Sequence, residues 1–284
     1  MLGIIFYARM WQHECLTADP AVAAEVYVAF YVGLDAAMHL DDTDLAVRDT
    51  LSLDHVDWLA QRPEWRVKGG RDHFLIIEQC NRSSSRWFLL GKSAVTKPGH
   101  YASGHTMRLL RNVEFYMQPH VDGYTRKSTF DAILAGCIPV FFHPVSAYLQ
   151  YTWQLPRDYR IYSVFIPAGD LSQNASIEEV LLNIPSEKVA QMREQVIQLI
   201  PAVMYRHPAA MGVTFKDAVD VALERVIHQV AKRRRVADEG REHVDGVDGG
   251  DSWKYDLLED GEEKIGPHEF DQYLYMHVTK DLLA

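Results

Sequence analysis

The spacing of apolar residues in the first quarter of the chain predicts alternating helices and strands. Asp19-Pro20 predicts a helix start, with Asp as cap and Pro at the first helical position, and the β-branched and aromatic run at 26–31 predicts a strand. Apolar and aromatic residues three and four positions apart predict a helix over 45–60. A short strand follows near His73. This order is typical of an α/β layer.

A second stretch predicts a βαβ unit. Its four parts are a strand at 114–119, a loop at 120–125, a helix at 128–135 and a strand at 138–142. The last strand is apolar throughout, as required of a parallel strand that is covered on both faces. We therefore expect a doubly wound domain.

The helix of this unit should pack on the sheet through one face and stop at a glycine. Phe130, Ile133 and Leu134 are predicted to form the packed face, and Gly136 to end the helix. Further along, amphipathic patterns predict long helices over 176–205 and 214–235. The Gly-, Asp- and Glu-rich stretch at 236–266 is expected to be an exposed tail with Trp253-Lys-Tyr255 as its anchor.

Composition excludes several classes of protein. The 284 residues are 48% hydrophobic and 24% charged, enough for a substantial core. The formal net charge of −10 opposes a nucleic-acid partner, because binding to phosphate backbones relies on clustered Lys and Arg. The basic tetrapeptide 232–235 is better explained as cations at a helix C-terminus. No stretch reaches the ~18 apolar residues of a membrane span, and the three cysteines form no CxxC pair for a metal.

The strongest chemical signal lies at the strand-to-helix crossing of the βαβ unit. Open α/β sheets bind ligands beyond the carboxyl ends of their strands, and a helix N-terminus attracts anions. Arg126 and Lys127 add cations at this point, and Asp131, one turn later, could accept hydrogen bonds from ribose hydroxyls. On composition alone, a solvated first turn with Asp131 as its dipole partner explains these residues equally well.

A family resemblance favours the binding interpretation. The segments 118–119, 123–131, 134–144 and 148–153 resemble the donor-site block of plant exostosin-like glycosyltransferases of family 47, in the xyloglucan galactosyltransferase subgroup. The likeness continues through 162–167, 176–180 and 184–189. Upstream, Cys15-Leu-Thr17 and 70–74 are similar to the acceptor-side half of that family. Nearly the whole chain is covered.

The resemblance implies a GT-B-like architecture of two Rossmann-like domains, with a UDP-sugar in the C-terminal one, inversion at the anomeric carbon and no metal or other cofactor. The expected domains are 1–75 on the acceptor side, 76–235 for the nucleotide sugar, and the tail 236–284. The donor-binding residues it implies are Gly123, Tyr124, Thr125, Arg126, Lys127, Ser128 and Asp131. Asp72 and His73, near a strand terminus, are candidates for the catalytic base, although a structural hydrogen bond is the favoured role and relatives could take their base from the segment missing here.

The chain also departs from the family pattern. Relatives begin with a membrane anchor and an opening strand that are not found before Met1. The block at 70–75 runs directly into 76–80, where on the order of a hundred residues are expected in relatives. We therefore expect the N-terminal domain to be incomplete.

Two functions follow from these observations. The first is an inverting hexosyltransferase that moves a sugar from a UDP-sugar to a cell-wall polysaccharide such as xyloglucan. Galactose is the sugar that we expect. By resemblance it would be a Golgi type II membrane protein whose anchor is absent from this chain, in complexes with other Golgi glycosyltransferases. The alternative is an inactive truncated member that retains a UDP-binding module.

Overall fold

The computed structural model describes most of the chain. The described residues are 2–31, 44–76, 107–108, 110–119, 124, 126–149, 151–172, 176–207, 209–210, 212–241 and 256–257. The helices are α1 (Leu2–Met10), α2 (Leu45–Ala60), α3 (Pro63–Lys68), α4 (Lys127–Leu134), α5 (Ala168–Ser172), α6 (Ile177–Leu182), α7 (Ser186–Val203) and α8 (Ala218–Asp238). The strands are β1 (Val26–Tyr27), β2 (His73–Phe74), β3 (Phe115–Gln118), β4 (Ile138–Phe141) and β5 (Val164–Phe165).

These elements fall into two compact units. The first unit contains Met1–Phe88 and Tyr205–His243, and the second contains Leu89–Met204 and Val244–Ala284. Each unit has one parallel sheet, β1-β2 in the first and β3-β4-β5 in the second. The predicted α/β class is confirmed.

The second unit is built around β4. Its four residues are all buried, and it pairs in parallel with β3 on one side and β5 on the other. Helix α4 connects β3 to β4, so the predicted βαβ unit is confirmed. Helix α7 packs against this core, and its Met192 and Val196 lie in the same buried cluster as Ile133 and Phe141.

The predicted packing face of α4 is partly wrong. Ile133 is fully buried, but Leu134 is 37% exposed, and the other buried residues of the helix are Thr129 and Ala132. Spacings of three and four residues place 129, 132 and 133 on one face, whereas Leu134 is rotated by about 100° from Ile133. Gly136 ends the helix as predicted, with a positive φ of 74°.

The long helix predicted over 176–205 is divided. Residues 183–185 separate α6 from α7, and Pro185 is the N-cap of α7. Ser176 caps α6 by accepting a hydrogen bond from the Glu179 N–H at 3.3 Å. The predicted tail anchor at 253–255 lies outside the described residues, and Leu257, just beyond it, packs against the core of the second unit.

The first unit departs more from the predictions. The strand predicted at 26–31 is only Val26–Tyr27, and no helix follows Asp19. Instead, the Asp19 side chain accepts the Ala21 N–H at 2.9 Å and forms a turn. A helix that we did not predict, α1, lies at 2–10 instead.

The helix predicted at 214–235 contributes to the first unit. It forms as α8, and its Val219 and Leu223 pack against Phe6 and Met10 of α1. The sequence had grouped this helix with the nucleotide-sugar domain. Chain order alone suggested that grouping, because partners more than 200 positions apart leave no local pattern.

A buried ion cluster joins α1 to the start of α8. Arg9 donates from Nε to Asp217 Oδ2 and from a terminal nitrogen to Asp220 Oδ1, both at 3.2 Å. Arg9 is 3% exposed and Asp217 is fully buried. Arg206 adds a backbone N–H to Asp217 at 3.0 Å, and His13 Nε2 lies 3.5 Å from Asp220.

The same two aspartates begin α8. Asp217 accepts from the N–H groups of Val219 and Asp220, while the Asp220 side chain accepts from the Asp217 N–H, which is a capping box. Burial alone would raise the pKa of Asp217, but the hydrogen bonds from Arg9 and from backbone N–H groups outweigh it and lower this pKa. The carboxylate is therefore held ionised inside the protein.

Asp217→Ala is predicted to destabilise the first unit by about 3–5 kcal/mol, because it leaves the buried Arg9 guanidinium without its main counter-charge. Urea unfolding followed by circular dichroism measures the change. The exposed Asp238 on the same helix provides a control, and Asp238→Ala should stay within about 0.5 kcal/mol of the original chain. Equal effects of the two substitutions would contradict a stabilising role for the cluster.

Candidate functional site

The carboxyl ends of β3 and β4 meet at one edge of the second unit. Gln118, the last residue of β3, lies opposite Phe141, the last residue of β4. The chain leaving β3 enters α4 at Lys127, and the chain leaving β4 passes through His143. Ligands of open parallel sheets bind at this edge.

The N-terminus of α4 is suited to an anion. Its N-cap, Arg126, has extended backbone angles and makes no side-chain cap hydrogen bond, since a guanidinium has donors only. The first turn contains no acidic residue. Its positive end is therefore not neutralised by a local carboxylate.

Lys127 and Asp131 are paired with each other. Lys127 Nζ lies 2.7 Å from both carboxylate oxygens of Asp131, one turn further on. The side chain of Lys127 is 83% exposed, and an exposed pair of this kind is worth about 0.3–0.5 kcal/mol. A ligand that needs either side chain can therefore separate them at small cost.

Tyr124 and His143 form a buried aromatic pair beside this edge. Their ring centroids are 4.1 Å apart at 30° between planes, and both residues are 8% exposed. Nδ1 of His143 accepts the Val145 N–H at 3.2 Å. Both rings are thus packed into the structure that supports the edge.

The structure describes five of the seven predicted donor-binding residues. Tyr124, Arg126, Lys127, Ser128 and Asp131 all lie at or just before the start of α4, whereas positions 123 and 125, occupied by Gly and Thr, lie outside the described residues. The geometry brings the five to one edge of one sheet. Their roles in binding stay predictions.

Gln118 is a polar residue at this edge that lies in the donor-site block of the resemblance but is not among the seven predicted donor-binding residues. It is 2% exposed, and its Oε1 accepts the Ser128 hydroxyl at 2.7 Å. An amide that ends a strand of mostly apolar residues was the available signal, since a buried polar group needs a partner.

The candidates for a base, Asp72 and His73, lie in the first unit at the amino end of β2. Asp72 is 5% exposed and is bound by Lys68 Nζ at 2.7 Å and His73 Nδ1 at 3.0 Å. Burial alone would raise the pKa of Asp72, but these two hydrogen bonds outweigh it and lower this pKa. The arrangement accounts for both residues structurally, and the catalytic role stays a prediction.

Glu25 precedes β1 beside the same carboxylate. Burial, and secondarily the negative charge of Asp72, raise the pKa of Glu25 from 4.5 to about 7. The folded chain therefore holds a proton there, between pH 4.5 and 7, that the unfolded chain has lost. Its free energy of unfolding must fall as the pH rises through this window.

Glu25→Gln is predicted to abolish this part of the pH dependence, because an amide binds no proton in this range. Thermal unfolding between pH 4.5 and 7.5 measures it, and the variant should be the more stable protein at pH 7.5. Glu14→Gln, at an exposed position of the same unit, should keep the original slope. If both variants keep it, Glu25 does not carry the proton.

Among the residues that the structure describes, no group of three or more His, Cys, Asp or Glu side chains is arranged to hold a metal ion. None of the described helices combines the length and the apolar character needed to cross a membrane.

Comparison with known proteins places the chain in a family. The Exostosin GT47 domain matches it in two pieces, residues 1–87 and 75–181. The chain is 34% identical to the xyloglucan galactosyltransferase MUR3 of Arabidopsis thaliana, over 96% of this chain and 59% of that protein. It therefore belongs to the exostosin GT47 family of glycosyltransferases, as the sequence analysis predicted.

Two further relatives from Arabidopsis thaliana also have names that refer to xyloglucan. A probable xyloglucan galactosyltransferase, GT12, is 29% identical over 85% of this chain and 66% of its own length. The xyloglucan-specific galacturonosyltransferase 1 is 25% identical over 80% of this chain and 48% of its own length. The chain thus spans about three-fifths of MUR3 and less than half of the last relative.

The alignment with MUR3 is longer than the chain. It extends over 367 positions against 284 residues, so at least 83 positions hold residues of MUR3 opposite gaps. The two pieces matched by the family overlap at 75–87. This is the region in which the sequence analysis placed a missing segment.

Proposed function

We propose that this chain is, or derives from, an inverting hexosyltransferase that transfers a sugar from a UDP-sugar to xyloglucan or a similar cell-wall polysaccharide. The observation that carries the proposal is the N-terminus of α4, where the N-cap Arg126 makes no side-chain cap hydrogen bond and Lys127 follows, in a member of the GT47 family. We propose galactose as the sugar, after the names of MUR3 and GT12. The related name with galacturonic acid shows that the donor can differ among relatives.

In this reaction an acceptor hydroxyl attacks the anomeric carbon from the side opposite the phosphate. The new carbon–oxygen bond forms as the bond to the diphosphate breaks, UDP leaves with the electron pair, and a base takes the hydroxyl proton. Arg126, Lys127 and the N–H groups of α4 would stabilise the charge that develops on UDP. No metal is needed for this role, because fixed cations and a helix N-terminus supply the positive charge.

Asp72 and His73 remain the proposed candidates for the base. Their present partners, Lys68 for the carboxylate and Asp72 for the imidazole, would have to be exchanged for the acceptor hydroxyl. A base from a segment present in relatives but absent here is the other source that we consider.

We propose a GT-B-like arrangement in which the first unit is an incomplete acceptor-side domain. Supporting this are the parallel strands in each unit, the two-piece family match and the gaps in the alignment with MUR3. By the same family relationship we propose a Golgi location and association with other Golgi glycosyltransferases.

Calorimetric titration with UDP, followed by a transfer assay with UDP-galactose and a xyloglucan oligosaccharide, tests the function. Binding with transfer would establish an active enzyme. Binding without transfer would identify the alternative, an inactive member that keeps a UDP-binding module. A folded chain that does not bind UDP would refute both.

Arg126→Ala is predicted to weaken UDP binding by about 1.5–3 kcal/mol, the range for a hydrogen bond to a charged group. The same titration on the variant gives the value. Arg111→Ala removes an exposed arginine from the same unit and should leave the affinity unchanged. Equal affinities of the two variants would exclude Arg126 from the diphosphate site.

A further inference from the structure

Gln118 occupies a position where an apolar side chain would be expected. It ends a strand that faces a core of apolar residues, and only 2% of it is exposed. Taking an amide out of water costs free energy unless hydrogen bonds replace those lost. A partner is therefore expected for each of its polar atoms.

One end of the Gln118 amide is satisfied and the other is not. The Ser128 hydroxyl donates to Oε1 at 2.7 Å. Nε2 is buried and has no hydrogen-bond partner among the residues that the structure describes. Two N–H donors are thus held beside the first turn of α4, to which Ser128 belongs.

Two other buried polar atoms on segments of this edge share this state. Thr129 Oγ1, also in the first turn of α4, and Ser146 Oγ, in the turn that follows β4, have no partner within the described part of the chain. These residues are 1% and 2% exposed. Well-packed proteins leave few such groups without a partner, so atoms of this kind on segments of one edge favour a polar partner there, either water or a ligand.

We propose that Gln118 is a donor-site residue whose Nε2 donates to the diphosphate oxygens of the nucleotide sugar. This inference rests on the proposed function and deepens it. A diphosphate is the fitting ligand because Nε2 can only donate and because the positive end of α4 and Arg126 favour an anion there. Hydrogen bonds from N–H groups to charged oxygens are also stronger than those to neutral acceptors.

Because the Gln118 amide is neutral, we expect it to select a ligand by the position of the ligand's acceptor oxygens rather than by the ligand's charge. In this orientation the Ser128 hydroxyl holds Oε1 and leaves the Nε2 donors for the phosphate, which an amide oxygen would repel. Gln118 is 2% exposed, so a bound ligand would be part of the close surroundings of its side chain. Binding should therefore change the environment of this side chain.

The test compares UDP and uridine binding by calorimetry in the intact chain and in Gln118→Met and Gln118→Glu. Gln118→Met keeps the length of the side chain without its donors and should weaken UDP binding about 10- to 100-fold, with uridine binding changed less than about twofold. Gln118→Glu should weaken UDP binding further, because it places an anion at the phosphates. Gln198→Met, at an exposed glutamine of α7, is the matched control.

The outcomes separate this inference from the proposed function. If the original chain binds UDP and both Gln118 variants bind it equally well, the role of Gln118 is wrong and the function stands. If the original chain is folded and does not bind UDP, the function fails and the inference with it.

A second measurement needs no substitution and covers the case in which the variants do not fold. In isotope-labelled original chain, the side-chain amide signals of Gln118 should shift on addition of UDP and stay in place with uridine. Signals unmoved at saturating UDP would overturn the proposal.

Discussion

The parallel pairing of β3 with β4 sets the positions of Gln118 and of the start of α4 in the second unit. Because β4 is buried along its whole length, its register with β3 cannot slip without exposing apolar residues. Gln118 is fixed at the carboxyl edge by its pairing with Phe141, and α4 must begin at the same edge to cross between the strands. The positions of Gln118 and of the start of α4 are therefore a consequence of core packing.

Local patterns were sufficient to predict this part of the molecule. The strand, helix and strand around α4 each follow from residues near one another in the sequence, and Gly136 marks the helix end through a backbone conformation that favours glycine. The error at Leu134 arose because hydrophobicity alone does not tell which face of a short helix meets the sheet. Thr129 and Ala132, less apolar or smaller, occupy that face instead.

The rest could not be predicted because its partners are distant. Arg9 and Asp217 are separated by 208 positions, and the residues around each of them do not indicate a buried ion pair. Helix α1 was missed, and α8 was grouped with the wrong half of the chain, for the same reason. At the candidate site, sequence resemblance singled out the charged residues, but the burial of Gln118 and its bond to Ser128 are properties of packing.

The two units stand in different relations to the proposed chemistry. Binding of UDP requires only the carboxyl edge of the second unit, where sheet, helix and core are continuous. Transfer also requires an acceptor surface, and in the described part of the first unit the sheet has only two short strands.

Helix α2 of the same unit exposes about half of each of four apolar side chains, which are Leu51, Leu53, Val56 and Trp58. Side chains of this kind are normally covered in a complete domain, and the MUR3 alignment contains at least 83 positions that this chain does not fill. In the proposed function, donor binding and acceptor binding therefore depend on different units, so UDP binding and sugar transfer can be tested separately.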